Sequence, residues 1–350
     1  MKIHEKYMAR CLQLAKNGLG NTYPNPMVGS VIVYNDRIIG EGWHHQAGQP
    51  HAEVNAVNSV KDTSLLEKAT IYVSLEPCSH FGKTPPCSDM IIAKGIKKVV
   101  IGTVDPFIEV AGRGIKKLMD AGCEVLVGVL EQECIDLNKR FFIFHQQKRP
   151  YIILKWAESL DGFIAPDAES RSTQAPVWIT NKYSKQLVHK WRAEEQSILV
   201  GRRTVEADNP SLTTRDWSGA SPTRIVLDRE LKIDLESTIF DHTVPTLVFT
   251  EKEQSNSDNL KYITIDFTKN TIQQILDSLY KEGLQSVIIE GGSATLQQFI
   301  DAEAWDEARV FKGTTSFTSG IHAPKLKRAK TLKTEKLTGD LLVHYTHAND

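Results

Sequence analysis

Glu76-Pro77-Cys78-Ser79-His80-Phe81-Gly82-Lys83-Thr84-Pro85-Pro86-Cys87 is the stretch from which the rest of the chain can be ordered. It follows a strand-like run, Thr70 to Leu75, and leads into a helix-like run near Pro86 to Ala93. Two cysteines bracketing a Pro/Gly/Ser-rich loop can face one metal ion. Upstream, His51-Ala52-Glu53 opens another helical segment and supplies a third ligand. Zinc takes three or four N, S or O ligands in a tetrahedron, and a catalytic site leaves one position to water. His51, Cys78 and Cys87 make three, and the metal draws the pKa of its water towards neutrality. Glu53, two residues past the histidine, can approach that water without binding the metal and carry its proton to a leaving group. Helix N-termini at Cys78 and Cys87 would favour their thiolates. His-x-Glu alone is common, and two cysteines nine positions apart are more often small buried hydrophobes; the joint order is what carries the reading. A structural zinc would want a fourth protein ligand, and Cys11, Cys123 and Cys134 have no spacing that suggests one.

The order H-x-E, strand, P-C, C, helix matches the zinc-deaminase signature with a longer gap between the cysteines. That longer loop, with Pro24-Asn25-Pro26-Met27-Val28-Gly29 and Gly42-Trp43-His44-His45, resembles the bifunctional deaminase/reductase family of riboflavin biosynthesis. The resemblance implies a cytidine-deaminase-like three-layer α/β/α domain that deaminates 2,5-diamino-6-(5-phosphoribosylamino)pyrimidin-4-one. It also implies that Asn25, His44, His80 and Lys83 line the pocket. Taken singly, these are a turn asparagine, surface histidines and a solvated lysine. After Val104-Asp105-Pro106 the family continues Asn-Pro, whereas this chain has Phe107-Ile108, so a substrate contact from position 107 is not carried over.

Working outward, Tyr7, Met8, Cys11, Leu12, Ala15 and Leu19 share a helical face, and Val28 to Tyr34 and Arg37 to Trp43 read as a hairpin joined at Asn35-Asp36. Helix His51 to Val60, strand Lys98 to Val104, helix Gly114 to Ala121, strand Glu124 to Val129 and a single helix Gln132 to His145 follow. Such alternation predicts an α/β sheet between helices, parallel wherever a helix crosses over. The polar stretch Gln146 to Pro150 reads as a linker, dividing a zinc-dependent pyrimidine deaminase domain, 1–147, from a reductase domain, 150–346. Strands Tyr151 to Ala157, Ser197 to Gly201, Arg224 to Asp228, Thr246 to Thr250 and Ser286 to Glu290, with helices Lys182 to Ala193, Thr271 to Lys281 and Ala294 to Ile300, make the second domain α/β as well.

No G-x-G-x-x-G occurs there. Glu290-Gly291-Gly292-Ser293 follows a buried-looking strand and opens a helix, which suits an anion cradle or a plain turn. Lys155-Trp-Ala-Glu-Ser159-Leu-Asp161-Gly162, Trp178-Ile179-Thr180, His189-Lys190-Trp191-Arg192-Ala193 and Thr204-Val205-Glu206-Ala207-Asp208-Asn209-Pro210 are similar to the same family's reductase half. The resemblance implies a dihydrofolate-reductase-like fold and hydride transfer from NADPH to the ribose C1′. Ala157, Trp178, Thr204, Asp208, Gly292, Ser293 and Ala294 match the dinucleotide side. Arg192, Leu212, Arg215 and Glu290 match the substrate side, where arginines suit bidentate phosphate contact. Pro176 stands where a serine is usual, and Arg203 and Arg229 are unusual side chains near the expected cofactor.

Composition sets the limits. In 350 residues, 42 Lys plus Arg balance 43 Asp plus Glu, and 41% are hydrophobic, so two ordinary globular cores are expected. A nucleic-acid-editing deaminase would want a basic groove, and the neutral balance counts against it, as against a membrane surface partner. A deaminase with a degenerate second domain is the other rival. The N-terminus reads as an amphipathic helix, no run approaches the ~20 apolar residues of a membrane span, and five unevenly spaced cysteines form no disulfide framework. These features predict a cytoplasmic protein, and the resemblance implies a homo-oligomeric enzyme acting on small phosphorylated pyrimidines, with zinc and NADPH as cofactors.

Overall fold

Alternate residues of the first strands point into different layers, and this period of two builds the N-terminal unit. The computed structural model describes residues 2–79, 85–107, 111–167, 169, 171 and 173–348. They fall into two units, Met1–Lys148 and Arg149–Asp350. The first runs α1 (Lys2–Ala15), β1 (Gly29–Tyr34), β2 (Arg37–Trp43), α2 (Ala52–Asn58), β3 (Thr70–Leu75), α3 (Cys87–Ala93), β4 (Lys98–Thr103), α4 (Arg113–Asp120), β5 (Glu124–Val127), α5 (Glu131–Leu137) and α6 (Lys139–Gln147). Its sheet has the order β2-β1-β3-β4-β5; β1 is antiparallel to β2 and β3, and β3, β4 and β5 are parallel. Ile32, Ile71, Val73, Val99 and Ile101 pack on α2, α3 and α4 through Ala56, Val57, Ile91 and Leu118. Val31, Val33, Tyr72 and Val100 pack on α1 and α5 through Tyr7, Met8, Cys11, Leu12 and Cys134. The result is the expected three layers. At the hairpin, Asn35 and Asp36 take φ of 47° and 57°, the left-handed pair of a type I′ turn whose twist matches the strands.

Two expectations need correction here. The single helix Gln132 to His145 is two helices, α5 and α6, divided at Asn138. Asn138 is 2% exposed, and its side-chain amide pairs with one peptide group: Met27 N–H donates to Oδ1 at 2.8 Å, and Nδ2 donates to Met27 O at 2.8 Å. The break serves that contact, which anchors the loop carrying Asn25. Gln146 and Gln147, read as linker from their polarity, end α6.

The second unit contains β6 (Tyr151–Glu158), β7 (Phe163–Pro166), α7 (Lys182–Glu194), β8 (Ser197–Gly201), α8 (Arg202–Asp208), β9 (Thr223–Leu227), β10 (Thr246–Thr250), β11 (Leu260–Thr264), α9 (Thr271–Lys281), β12 (Ser286–Glu290), α10 (Ser293–Asp301), β13 (Glu307–Lys312), β14 (Gly320–His322), β15 (Ala329–Leu337) and β16 (Asp340–His347). Nine strands form one sheet in the order β11-β10-β9-β8-β12-β6-β13-β16-β15. It is parallel from β11 to β13 and antiparallel beyond. Leu154, Leu199, Ile225 and Ile289 meet α9 and α10 on one face, while Ile198, Val200, Val226 and Ile288 meet Trp191 of α7 on the other. Strands β7, β11 and β13 to β16 and helix α8 carry no clear period in the sequence. In β13 the reason is visible: Arg309 is buried between Glu307, at 2.7 Å, and Glu195, at 3.3 Å, so charged residues occupy core positions.

Replacing Asn138 by Ala leaves two buried backbone groups of Met27 without partners, each worth roughly 1 to 3 kcal/mol. Urea unfolding of the Asn138→Ala chain is expected to show a loss of about 2 to 5 kcal/mol for the first unit's transition, and a loss under ~0.5 kcal/mol contradicts the assignment.

Candidate active sites

The first site grows from the carboxyl end of β3. Glu76, directly after it, is 4% exposed, and its carboxylate accepts N–H bonds from Asp105, Gly112, Gly114 and Ile115 at 2.8 to 3.3 Å. This ties the start of α4 to the segment leading into Cys78. A Cβ on Gly114 would lie 2.0 Å from Pro77 O, so only glycine permits that approach. Glu76 was in the quoted motif without a role, because its partners lie 29 to 39 residues downstream.

Next come the ligand candidates. His51 is the N-cap of α2, and Cys87 is the first residue of α3. Cys78 itself lies in the loop after β3, but its sulfur accepts the N–H of Cys87, the first residue of α3, at 3.3 Å, so one helix N-terminus serves both cysteines. Ser88 N–H and Oγ both donate to Cys78 O, at 3.1 and 3.0 Å. So stitched, the Cys78 and Cys87 sulfurs stand 3.6 and 3.4 Å from His51 Nδ1, and all three ligand atoms lie within 4.8 Å of one another. The Cys87 hydrogen bond, aided by His51, lowers the Cys78 thiol to about 4, and the Cys78 sulfur pushes Cys87 up. Without a cation, two thiolates this close oppose each other. Zinc removes the conflict, and a soft N/S/S donor set is one it favours. Glu53, in the first turn of α2, is 3% exposed. Burial, with the Cys78 charge beside it, raises its carboxyl to about 7, where it can hold or release a proton near neutrality.

His44 and Asn25 come to the same place. The His44 ring lies edge-on to His51 with centroids 5.3 Å apart, Asn25 Nδ2 is 3.0 Å from His44 Nε2, and Pro50 O is 3.2 Å from Nδ1. Burial lowers the His44 pKa. His80 and Lys83 lie outside the described residues. Phe107, at the departure from the family pattern, lies tilted against His145 with centroids 5.1 Å apart.

The second site lies at the carboxyl ends of β8, β12 and β6, adjacent in that order. Glu290 and Lys155 are register partners on β12 and β6. Lys155 Nζ approaches one Glu290 oxygen at 2.6 Å and Arg192 Nη2 the other at 3.2 Å. Burial alone would raise the Glu290 carboxyl, but Lys155 and Arg192 outweigh it and hold the group at about 2. Arg192 also donates to Thr213 O at 3.2 Å, and its Nε has no partner among the described residues. Arg215 bonds Ser211 Oγ and, at 3.2 Å, Thr213 Oγ1. Leu212, between them, is buried with φ of 54°.

On the expected dinucleotide side, Gly292 N–H donates to Thr204 Oγ1 at 2.9 Å. Gly291 has φ of 129°, and a Cβ there would meet that same oxygen at 2.8 Å. The first intrahelical bonds of α10 run from Thr295 and Leu296 to Gly292 O, which leaves the Ser293 and Ala294 amides at the helix start for an anion. This cradle fits the diphosphate of a dinucleotide. Ala157, on β6, is partly buried against the core, Trp178 is 57% exposed with Lys185 Nζ 4.5 Å from its ring centre, and Asp208 is paired to Arg171. Pro176 and Arg203 are exposed, and Arg229 pairs with Glu251 at 2.8 Å.

Residues 1–103 match the cytidine and deoxycytidylate deaminase zinc-binding region, and residues 150–320 match the RibD C-terminal domain. The riboflavin biosynthesis protein RibD of Aquifex aeolicus is 39% identical over 98% of this chain and 98% of its own. The chain belongs to the RibD family. The Escherichia coli RibD is 36% identical over 88% of this chain and 86% of its own. A crystal structure of a diaminohydroxyphosphoribosylaminopyrimidine deaminase/5-amino-6-(5-phosphoribosylamino)uracil reductase from Thermotoga maritima superposes with a TM-score of 0.89 at 37% identity, over 99% of each chain. As a RibD family member the chain is a bifunctional deaminase and reductase of riboflavin biosynthesis, with a cytidine-deaminase-like half and a dihydrofolate-reductase-like half. Its cofactors are zinc and NADPH.

Because the Glu290 carboxyl lies at about 2 against an ordinary 4.5, its ionised form contributes stability that is present above about pH 4.5 and lost as pH falls towards 2. The stability gap between wild type and Glu290→Gln, followed by urea unfolding, is expected to narrow progressively below about pH 4.5. A gap that stays constant there is incompatible with this charge balance.

Proposed function

We propose that residues 1–147 deaminate 2,5-diamino-6-(5-phosphoribosylamino)pyrimidin-4-one and that residues 150–346 then reduce the ribosyl group of the product to a ribityl chain. The observation that carries the reading is the His51, Cys78 and Cys87 cluster with a buried, near-neutral Glu53 beside it. The two activities in the name of the Thermotoga maritima relative support the substrates.

In the deaminase half, His51, Cys78 and Cys87 hold zinc, which activates water as a nucleophile at neutral pH. Glu53 takes the proton of the attacking water and delivers it to the departing amino group, so that ammonia leaves. A carboxyl poised near 7 suits both transfers. Asn25, steadied by His44, presents its remaining amide atom to the pyrimidine edge, and His80 and Lys83 are the further substrate-binding residues of this half.

In the reductase half, bound NADPH would supply the hydride for reduction at the ribose C1′. Thr204, Asp208, Gly292, Ser293, Ala294, Ala157 and Trp178 hold that cofactor, with the amides of Ser293 and Ala294 on its phosphates. Arg192 and Arg215 hold the substrate phosphate, supported by the unpartnered Nε of Arg192 and the exposure of Arg215. Leu212 and Glu290 are the further residues of the substrate side. No described helix is long and apolar enough to cross a membrane, and the five cysteines are free thiols, which supports a reducing, cytoplasmic setting. A homo-oligomer is the proposed assembly.

The Glu53→Gln protein is expected to retain about one zinc per chain by elemental analysis while ammonia release falls by at least ~10²-fold. Near-normal turnover in that zinc-loaded variant excludes Glu53 as the proton carrier. Arg192→Ala and Arg215→Ala each remove a charge-assisted contact of roughly 1.5 to 3 kcal/mol, so NADPH oxidation should weaken about tenfold or more with ammonia release little changed. Reduction at the wild-type rate in both variants rules out the phosphate assignment, and parallel loss of deamination rules out two separable domains.

A further inference from the structure

Only part of what holds Arg215 belongs to its own loop. Residues 209–222, between α8 and β9, contain no helix or strand, and two of them, Asn209 and Leu212, have φ of 42° and 54°. Within the loop, Thr214 N–H reaches Ser221 Oγ at 3.1 Å, and the Arg215 guanidinium folds back on Ser211 and Thr213. Two hydrogen bonds dock this segment on α7, from residues one turn apart: Arg192 Nη1 donates to Thr213 O at 3.2 Å, and Arg215 N–H donates to His189 Nδ1 at 3.1 Å. The second is the bond at the very residue that carries the guanidinium.

We propose that His189 is the positioning residue of the reductase phosphate site: its Nδ1, kept as an acceptor, fixes the Arg215 backbone and thereby aims the Arg215 side chain at the phosphate. This rests on the assignment of Arg215 to the substrate phosphate. The geometry sets the tautomer. Since Nδ1 accepts, the proton sits on Nε2, which faces Asp216 Oδ2 at 3.6 Å. Asp216 is also 4.0 Å from Lys185 Nζ, so the carboxylate orienting the ring is itself held by α7. His189 is 2% exposed, and protonation would place a fourth cation beside Arg192, Arg215 and Lys185, with Asp216 the carboxylate that faces its ring. Burial first, then Arg192, depresses it to about 4. The imidazole therefore stays neutral near pH 7, and Nδ1 stays an acceptor.

The test separates an acceptor from a space-filling ring. His189→Phe keeps a ring and removes the acceptor, whereas His189→Asn places an oxygen near the Nδ1 position without the ring. NADPH oxidation is measured with 5-amino-6-(5-phosphoribosylamino)uracil and with its dephosphorylated analogue. The expected result is a KM about tenfold higher for the phosphorylated substrate in His189→Phe, unchanged kcat, and unchanged kcat/KM for the dephosphorylated analogue. His189→Asn should stay within about twofold of wild type on both, and the His189→Phe/Arg215→Ala double variant should be no worse than Arg215→Ala alone. If His189→Phe behaves as wild type and His189→Asn does not, the ring only fills space and the proposal is overturned, with the phosphate assignment intact. Equal loss on both substrates, or additive loss in the double variant, overturns it in the same way. Should His189→Phe fail to fold, His189→Asn decides, since a raised KM there refutes the acceptor role. If Arg215→Ala itself leaves the KM of the phosphorylated substrate unchanged, the phosphate assignment falls and the positioning role falls with it.

Discussion

Parallel strands cannot be joined by tight hairpins, so each must return through a crossover, and loops and helix N-termini collect at the strands' carboxyl edge. Both halves of this protein place their chemistry on that edge. In the first, β2 and β3 run the same way because each is antiparallel to β1, so His44, His51 and Glu53 emerge where Glu76 and Cys78 do. In the second, β8, β12 and β6 deliver Thr204, Glu290 and Lys155 to neighbouring positions. The helices and the paired carboxylate of Glu76 then adjust spacings that the sheet has already set within a few ångströms.

The two sites are electrostatic opposites. Two sulfurs and an imidazole crowd the first, and the strain between a lowered Cys78 and a raised Cys87 is relieved by a cation. The second pairs Lys155 and Arg192 with the carboxylate of Glu290, and Arg215, docked on the helix that carries Arg192, adds positive charge that suits an anionic substrate. A substrate that carries both a pyrimidine amino group and a phosphate has something to offer each. Neutral histidines appear at both, His44 beside the metal ligands and His189 beside the arginines, and in each case burial removes the proton that would otherwise compete with the site's own charge logic.

The metal ligands and Glu53 were legible in the sequence because their geometry is largely local. His51 and Glu53 share the first turn of one helix, and Cys78 and Cys87 bracket one loop, so ordered motifs capture most of the arrangement. The layered α/β architecture was legible for a similar reason: the apolar runs of β1, β3 and β4, buried on both faces, are interspersed with helical segments. The Gly291-Gly292 turn announced itself by composition alone, since few other residues tolerate φ of 129° against Thr204.

What only the tertiary structure decided are pairings between residues far apart whose types mislead. Lys155 and Glu290 become partners through strand register across 135 residues, and Asn138 breaks a helix to complete the peptide hydrogen bonds of Met27, 111 residues away. Arg309 reads as a surface residue and lies in the core because Glu195 and Glu307 meet it there. Glu76 and His189 likewise take their roles from backbone N–H groups on other segments. Periodicity and motif spacing report which residues a single element presents; they carry no record of which backbone group a distant side chain will satisfy, because folding chooses that partner by burying both together.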